Sequence, residues 1–559
     1  MIQKILFCIG LTVLIVSGSF AATITVSGGT GLQAAIDSAN PGDTVEVTDS
    51  LTYAEDVLVN KDDLVLVCTA IDPATIEAQN NTLRGDLGQL IADLGAPSAN
   101  DELGLYIEAD GVTVDHFNIV NRTAGAGDNA LGRACALNVH GSNNTVQSCA
   151  IIGPNNTNND CAVQIGWGDI SAGNLTQSTV ATGRTCNNNT LDNCHFMGRQ
   201  GVHLHDVVYE DFGATSPQPT MNGLISNSTF ECVRRALETR GDIGWTFDNC
   251  TWIHPAATTT DSAIKSFGGS ATYNNCRIHG AGHRISFQPG AGGGSDYPTT
   301  VMNNCIICAG QPGDNVILMD EGNYVFTNCI ISASSGGSDP AMNFFNNGVL
   351  HCRPAQIDGS WGAGNNAALG ATWSLDVDHC DIMGDGGPSA NFATGIYIDN
   401  VPDFFNGNGP YPYLVTVRDS IILANQGIVV NAGEVIQQLF AVPGVNPSPG
   451  STITVENNAV IDLFDPEAPK LGSQGRIQVD FSTNWTDGSS PALFPGNNLI
   501  DVDPEYIGNV LDCSNPDYAT AFIYRNEQMS TYASDGGPIG SQGTPPVPPS
   551  SVGGWELYQ

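Results

Sequence analysis

The chain is short of positive charge. Eighteen Lys and Arg stand against 57 Asp and Glu in 559 residues, a formal net charge of −39. A surface of that sign repels phosphate backbones and anionic lipid headgroups, which argues against nucleic acid and membrane surfaces as partners. Lysine is the scarcest cation: Lys4, Lys61, Lys265 and Lys470 are the whole set. Long apolar runs are missing as well. After the first residues nothing approaches the roughly 18 consecutive apolar residues that span a bilayer. The opening, MIQKILFCIGLTVLIVSGSFA, is the exception, with Lys4, an apolar run from Ile5 to Val16, and small residues at Ser19 and Ala21. That pattern predicts a secretory leader over 1–21 and a secreted or cell-surface protein.

What is present is repetition. A short phrase returns from about residue 145 to about residue 460: TVQSCAIIG (145–153), TLDNCHFMG (190–198), WTFDNCTWI (245–253), ATYNNCRIH (271–279), VMNNCIICA (301–309), YVFTNCIIS (324–332) and LDVDHCDIM (375–383). Its form is apolar, any residue, Asn or Asp, Cys or Ser, any residue, apolar. Strand-type phrases recurring at solenoid-sized intervals predict stacked coils, because one coil of short strands cannot bury its inward side chains and a stack can. Asn193, Asn227, Asn249, Asn275, Asn304 and Asn328 fit a turn ladder, since Asn tolerates left-handed backbone angles. Cys149, Cys194, Cys250, Cys276, Cys305, Cys329 and Cys380 follow at the inward position.

Sixteen cysteines in an exported chain leave two readings open: a stacked thiol interior, or inter-coil disulfides such as Cys305 with Cys329. Cys305-x-x-Cys308 has zinc-type spacing, but no second pair matches it.

Ahead of the repeats, TITVSGGTGLQAAIDSANPGDTVEV predicts an amphipathic helix over 31–40 between two strands, ended by Pro41-Gly42. With Ala34, Ala35, Ile36, Gly42, Asp43, Tyr53 and Glu55 so placed, this stretch resembles the entry of right-handed parallel β-helix proteins of the pectate-lyase-like kind, where a short helix caps the first coil. The fold expected is all-β: a right-handed single-stranded parallel β-helix over 22–540. Asp501-Val-Asp-Pro-Glu-Tyr-Ile resembles the exit of such proteins, and a Pro/Gly/Ser-rich tail follows over 541–559. Loops at 287–299, 353–370 and 401–412 read as surface excursions.

Cations concentrate between Arg199 and Arg284, which hold seven of the eighteen Lys and Arg together with five of the ten His. Strand alternation reads this stretch directly. Val202 and Leu204 point inward and His203 and His205 outward. Glu238 and Arg240, Lys265 and Phe267, and Arg284 and Ser286 point outward on the strands that follow. On successive coils they form one face about 15 Å long, the length of three or four sugar rings. A base, cations for carboxylates and an aromatic ring for stacking suit a sugar-acid polymer.

The face resembles that of the alginate and chondroitin lyase group of β-helix polysaccharide lyases, which place Glu, Lys and Arg on consecutive coils. The resemblance implies Lys265 as the base, Arg284 as the assisting cation and Glu238 as a calcium ligand, with calcium as the implied cofactor. His203 and His205 are further catalytic candidates, Arg240, Phe267 and Arg235 are candidate substrate-binding residues, and Asp206 is a second candidate metal ligand. Arg240 departs from the pattern, because it stands where it would repel calcium; Arg240 and Arg284 could then gather the substrate carboxylate without metal. Two other functions fit the same residues. One is a glycoside hydrolase with Asp206 and Glu238 as paired carboxylates, although clustered Asp-Asp is absent. The other is a non-catalytic, adhesin-like or self-assembling surface β-helix.

Overall fold

A computed structural model of the chain describes residues 21–79, 103–122, 135–155, 161–166, 185–205, 221–240, 243–253, 262–267, 269–281, 284–288, 299–310, 316–320, 322–332, 349–353, 373–384, 394–399, 413–424, 426–431, 452–461 and 498–500, and, toward the C-terminus, 504, 506, 518–523, 526, 528–535 and 537–541. The leader, the tail beyond 541 and most of the expected loops at 353–370 and 401–412 lie outside the described residues. Of the loop expected at 287–299, Phe287 and Gln288 end one strand and Thr299 begins another.

The chain winds through three parallel sheets, and apart from the first and last pairings, Thr23–Val26 with Thr44–Val47 and Ala459–Ile461 with Leu499–Ile500, each strand pairs with those three places before and after it. Among the described residues the first sheet has 14 strands, from Thr23–Val26 to Thr452–Glu456. The second has 14, from Thr52–Tyr53 to Leu499–Ile500, and the third has 12, from Val57–Val59 to Gln426–Asn431. This is the expected right-handed parallel β-helix. Inward side chains stack in ladders: Phe196 on Phe230 and Phe230 on Trp252 along the second sheet, with ring centroids 4.7 and 4.6 Å apart, and Phe247 on Tyr273 along the first at 4.8 Å. Consecutive coils thus form a single continuous core.

The recurring phrase makes the corner between first and second sheets. Asn193, Asn227, Asn249, Asn275, Asn304 and Asn328 all take φ between 50° and 54°, and His379 and Asp419 take the same angle at equivalent places. One left-handed residue turns the strand sharply, and Asn accepts that conformation more readily than other side chains. The asparagines also hold one another: Asn249 donates to the Asn227 side chain at 2.8 Å, and Asn275 to Asp248 at 3.1 Å. The cysteines that follow are buried thiols. Each donates to a carbonyl of the coil before it, Cys276 to Phe247 at 3.4 Å, Cys305 to Tyr273 at 3.5 Å and Cys329 to Met302 at 3.3 Å. Burial pushes such thiols up, Cys149 to about 12. The thiol reading therefore holds for Cys305 and Cys329, and it is Cys308 that is disulfide-bonded, with a partner outside the described residues.

The N-terminal end of the stack is closed. The helix expected over 31–40 spans Leu32–Ser38 and buries Leu32, Ala35 and Ile36 on the first coil. Its first N–H groups, at Leu32 and Gln33, donate to the Glu55 carboxylate at 3.1 and 2.9 Å, which satisfies donors the helix cannot. The Gln33 side-chain amide bonds both the N–H and the C=O of Leu58, closing the open edge of the third sheet against further pairing. Toward the other end, the short helix Tyr518–Ala521 and the 3-10 turn Met529–Thr531 fold back on the outer face of the second sheet. There Phe522, Met529 and Ile539 pack with Ile330, Met383, Ile421 and Leu423.

Candidate functional site

The outer face of the third sheet carries the cation-rich stretch. Val202, Leu204, Leu237, Ile264, Ile285 and Phe287 lie in the core, so His203, Glu238, Lys265 and Ser286 point outward, as alternation predicts. Register puts His203 beside Glu238, Glu238 beside Lys265 and Lys265 beside Ser286. In the neighbouring row His205 is paired with Arg240, Arg240 with Phe267 and Phe267 with Gln288. For His205, Arg240, Phe267 and Arg284 the described feature is the backbone position; Asp206 lies outside the described residues.

Two features differ from the sequence reading. Ser286, not Arg284, stands beside Lys265, because the inward Ile264 and Ile285 are register partners. Arg284 falls one step earlier, and a register shift between Ser262 and Ile264 sets it against Ser262. The face is also shielded from water. His203, Glu238 and Ser286 are each 0% exposed, while Lys265 is half-buried. Alternation reports the direction of a side chain, not what covers it.

Glu238 has a close cation. Arg235, three residues earlier, donates through NH1 to Glu238 Oε2 at 2.5 Å, with side-chain exposures of 12% and 0%. Removing a carboxylate from water costs several kcal/mol unless a counter-charge and hydrogen bonds replace the solvent, and Arg235 supplies one such partner. Arg235, a candidate substrate-binding residue in the sequence, is thus paired with Glu238. The Ser286 hydroxyl is buried and has no hydrogen-bond partner among the described residues.

Calcium does not fit Glu238 here. The ion takes six to eight oxygen ligands. This carboxylate meets a guanidinium and has Lys265 as its register neighbour, so the local charge opposes a second cation. The described residues do hold one other metal-type group, Asp378, His379 and Asp419, whose ligand atoms lie within 4.8 Å of one another. It lies at the corner between first and second sheets and is engaged within the chain: Arg418 bonds Asp378 at 3.2 Å, and Ser534 bonds Asp419 through its N–H and its hydroxyl at 2.7 and 2.6 Å.

The same column continues beyond the residues singled out from sequence. Tyr106, Asn138 and Gln164 precede His203 in register, and all three are buried. Tyr106 Oη donates to Glu108 at 3.3 Å and lies 3.4 Å from His140 Nδ1. Downstream, Arg353 grips Asp320 through two bonds of 2.5 and 2.7 Å. Alternation in GLYIEAD, ALNVHG and AVQIG would have found the upstream residues; they were missed because nothing in their composition stands out.

No family model matches the chain, and no curated protein matches it. Among solved structures it is similar to a PL6 alginate lyase in complex with a trisaccharide, at 14% identity over 79% of this chain and 81% of that one, TM-score 0.40. It is also similar to a PL6 family polysaccharide lyase from Pseudopedobacter saltans, at 13% identity over 93% and 99%, TM-score 0.37, and to pectate lyase Pel9A, at 11% identity over 74% and 78%, TM-score 0.28. At these identities the likeness concerns fold alone.

Proposed function

We propose that the protein is exported and engages an acidic polysaccharide along the outer face of the third sheet between His203 and Gln288, cleaving it by β-elimination with Lys265 as the base. The observation that carries this reading is the register column itself. It places a half-buried lysine, one of four in the chain, between a buried carboxylate and a buried hydroxyl that has no hydrogen-bond partner among the described residues. In the proposed step the neutral Lys265 amine takes the proton from the ring carbon beside the uronate carboxylate, the carbon–carbon double bond forms as the glycosidic C–O bond on the next ring carbon breaks, and the departing oxygen takes a proton from solvent and leaves as a hydroxyl. Arg240 and Arg284 offset the negative charge that gathers on that carboxylate. Glu238, held by Arg235, fixes the position of the Lys265 amine before transfer and of its ammonium after it.

The test is incubation with alginate, pectate and glycosaminoglycans while following ultraviolet absorbance of unsaturated uronate ends. Activity on one polymer is expected, and Lys265→Ala should lower it about 100-fold or more, the contribution of a positioned general base. Absence of signal on every polymer, or an unchanged rate in Lys265→Ala, sinks the lyase reading. Glycan arrays test binding separately.

Full burial of His203 and Glu238 favours a second reading, in which the column is a structural polar network in a surface β-helix. Replacing both members of a buried ion pair with apolar residues of similar size is often tolerated. On this second reading Arg235→Met/Glu238→Leu keeps all glycan binding, and purified protein forms filaments or sheets.

A further inference from the structure

We infer that Cys135 and Cys161 form a disulfide that ties two adjacent coils together next to the His203 strand. Cys135 opens the third-sheet strand Cys135–Val139, Cys161 opens the next, Cys161–Gly166, and the two are Cα partners in parallel register. Neighbouring strands stand about 4.8 Å apart, inside the roughly 4.4–6.8 Å Cα separation that a disulfide requires. The side chains converge as well: the Sγ atoms are 2.9 Å apart, closer than two non-bonded sulfurs rest, and both residues are 0% exposed.

The contrast with the thiol ladder makes the pair specific. Ladder cysteines such as Cys276 and Cys305 interact with one another along the stack, but each also donates to a carbonyl oxygen of the preceding coil. Cys135 Sγ instead faces Cys161 Sγ, with Gln164 Oε1 farther away at 3.8 Å. The residues outside the pair in register are Leu103 and Gln200, so among the described register partners neither flanking residue is a cysteine.

The bond forms by thiol–disulfide exchange with a low-molecular-weight or protein disulfide. One cysteine thiolate attacks the donor and releases the first donor thiolate. The second cysteine thiolate then displaces the other, giving the Cys135–Cys161 bond. The two cysteines lose two protons and two electrons, and the donor leaves as two thiols. Because both sulfurs are buried, closure accompanies the stacking of these coils, and the finished bond is out of reach of soluble reductant.

The experiment takes the full chain from an oxidising compartment, quenches it in acid, denatures it, and alkylates it without reductant before digestion and mass spectrometry. The expected result is one linked species joining the Cys135 and Cys161 peptides, with Cys276, Cys305 and Cys329 alkylated. Alkyl label on both Cys135 and Cys161, or linkage of either to another cysteine, overturns the assignment. As a second measurement, Cys135→Ser, Cys161→Ser and the double variant should lower Tm equally. If the double variant loses about the sum of the two single losses, the two residues act as separate buried thiols and the proposal fails.

Discussion

Asp381 shows how one side chain makes stability depend on pH. It lies in the second-sheet strand Asp381–Met383, accepts from Tyr506 Oη at 2.8 Å and from the Ser541 N–H at 2.7 Å, and is also bonded by the Ser541 hydroxyl. Burial raises its pKa from 3.8 to about 6, against the lowering effect of the Ser541 and Tyr506 bonds. In the unfolded chain the carboxyl ionises near 3.8, while in the folded chain it stays protonated to about 6. The folded state therefore binds more protons in that window, and stability falls as pH climbs from about 4 to about 6, by ~3 kcal/mol, levelling off above. Denaturant titrations at several pH values should show this decline, and Asp381→Asn should remove it. A wild-type profile that is flat or rising between pH 4 and 6 would contradict the assignment. Residue-scale reading of the candidate site succeeded where direction alone mattered: His203, Glu238 and Lys265 were legible as outward neighbours from apolar alternation. It failed at Arg284, because alternation gives a side chain's direction and not which inward residues become partners: Ile264 meets Ile285, and that puts Ser286 beside Lys265.

At the scale of the element, the Asn-Cys corner is the unit the fold repeats. Its sequence form was legible because the backbone requirement is so narrow: a left-handed residue, then a small buried one. The side-chain chemistry follows from those positions. Asn275→Ala should cost about 1–2 kcal/mol for the forced left-handed angle and about 1 kcal/mol more for the lost bond to Asp248. Asn275→Gly keeps the angle and loses only the second contribution. Equal costs for the two, measured by denaturant unfolding, would show that the hydrogen bond and not the backbone angle is what Asn provides. The inward cysteine of each corner should be inert in the native protein: Cys149, Cys194 and Cys276 are buried with raised pKa values. Thiol reagents should label them only after denaturation.

At the scale of the whole molecule, the C-terminal segment acts as a cover for one sheet. Ile306, Ile330, Met383, Ile421 and Leu423 sit on the outer face of the second sheet and are buried with Phe522, Met529 and Ile539. Cutting the chain before Tyr518 should leave that face open, and exposed apolar patches of this kind drive association. Light scattering should detect oligomers in the truncated chain and none in the full one. This clamp was not legible in sequence, since its polar ties span more than a hundred residues, as in Ser534 to Asp419 and Ser541 to Asp381. The shielding of the candidate face went unread because alternation gives a side chain's direction and not its exposure.

The left-handed corner has a further consequence for how such a molecule changes length. Every coil restarts from the same backbone state, so the register of one coil carries no memory of how long the previous excursion was. Excising residues 329–379 would rejoin Asn328 to Cys380, restoring the same Asn-Cys pair that stands at 328–329. The strand Asp381–Met383 would then take the place of Ile330–Ser332, its present register partner. The coil is thereby a module of inheritance, able to be lost or duplicated whole without retuning its neighbours.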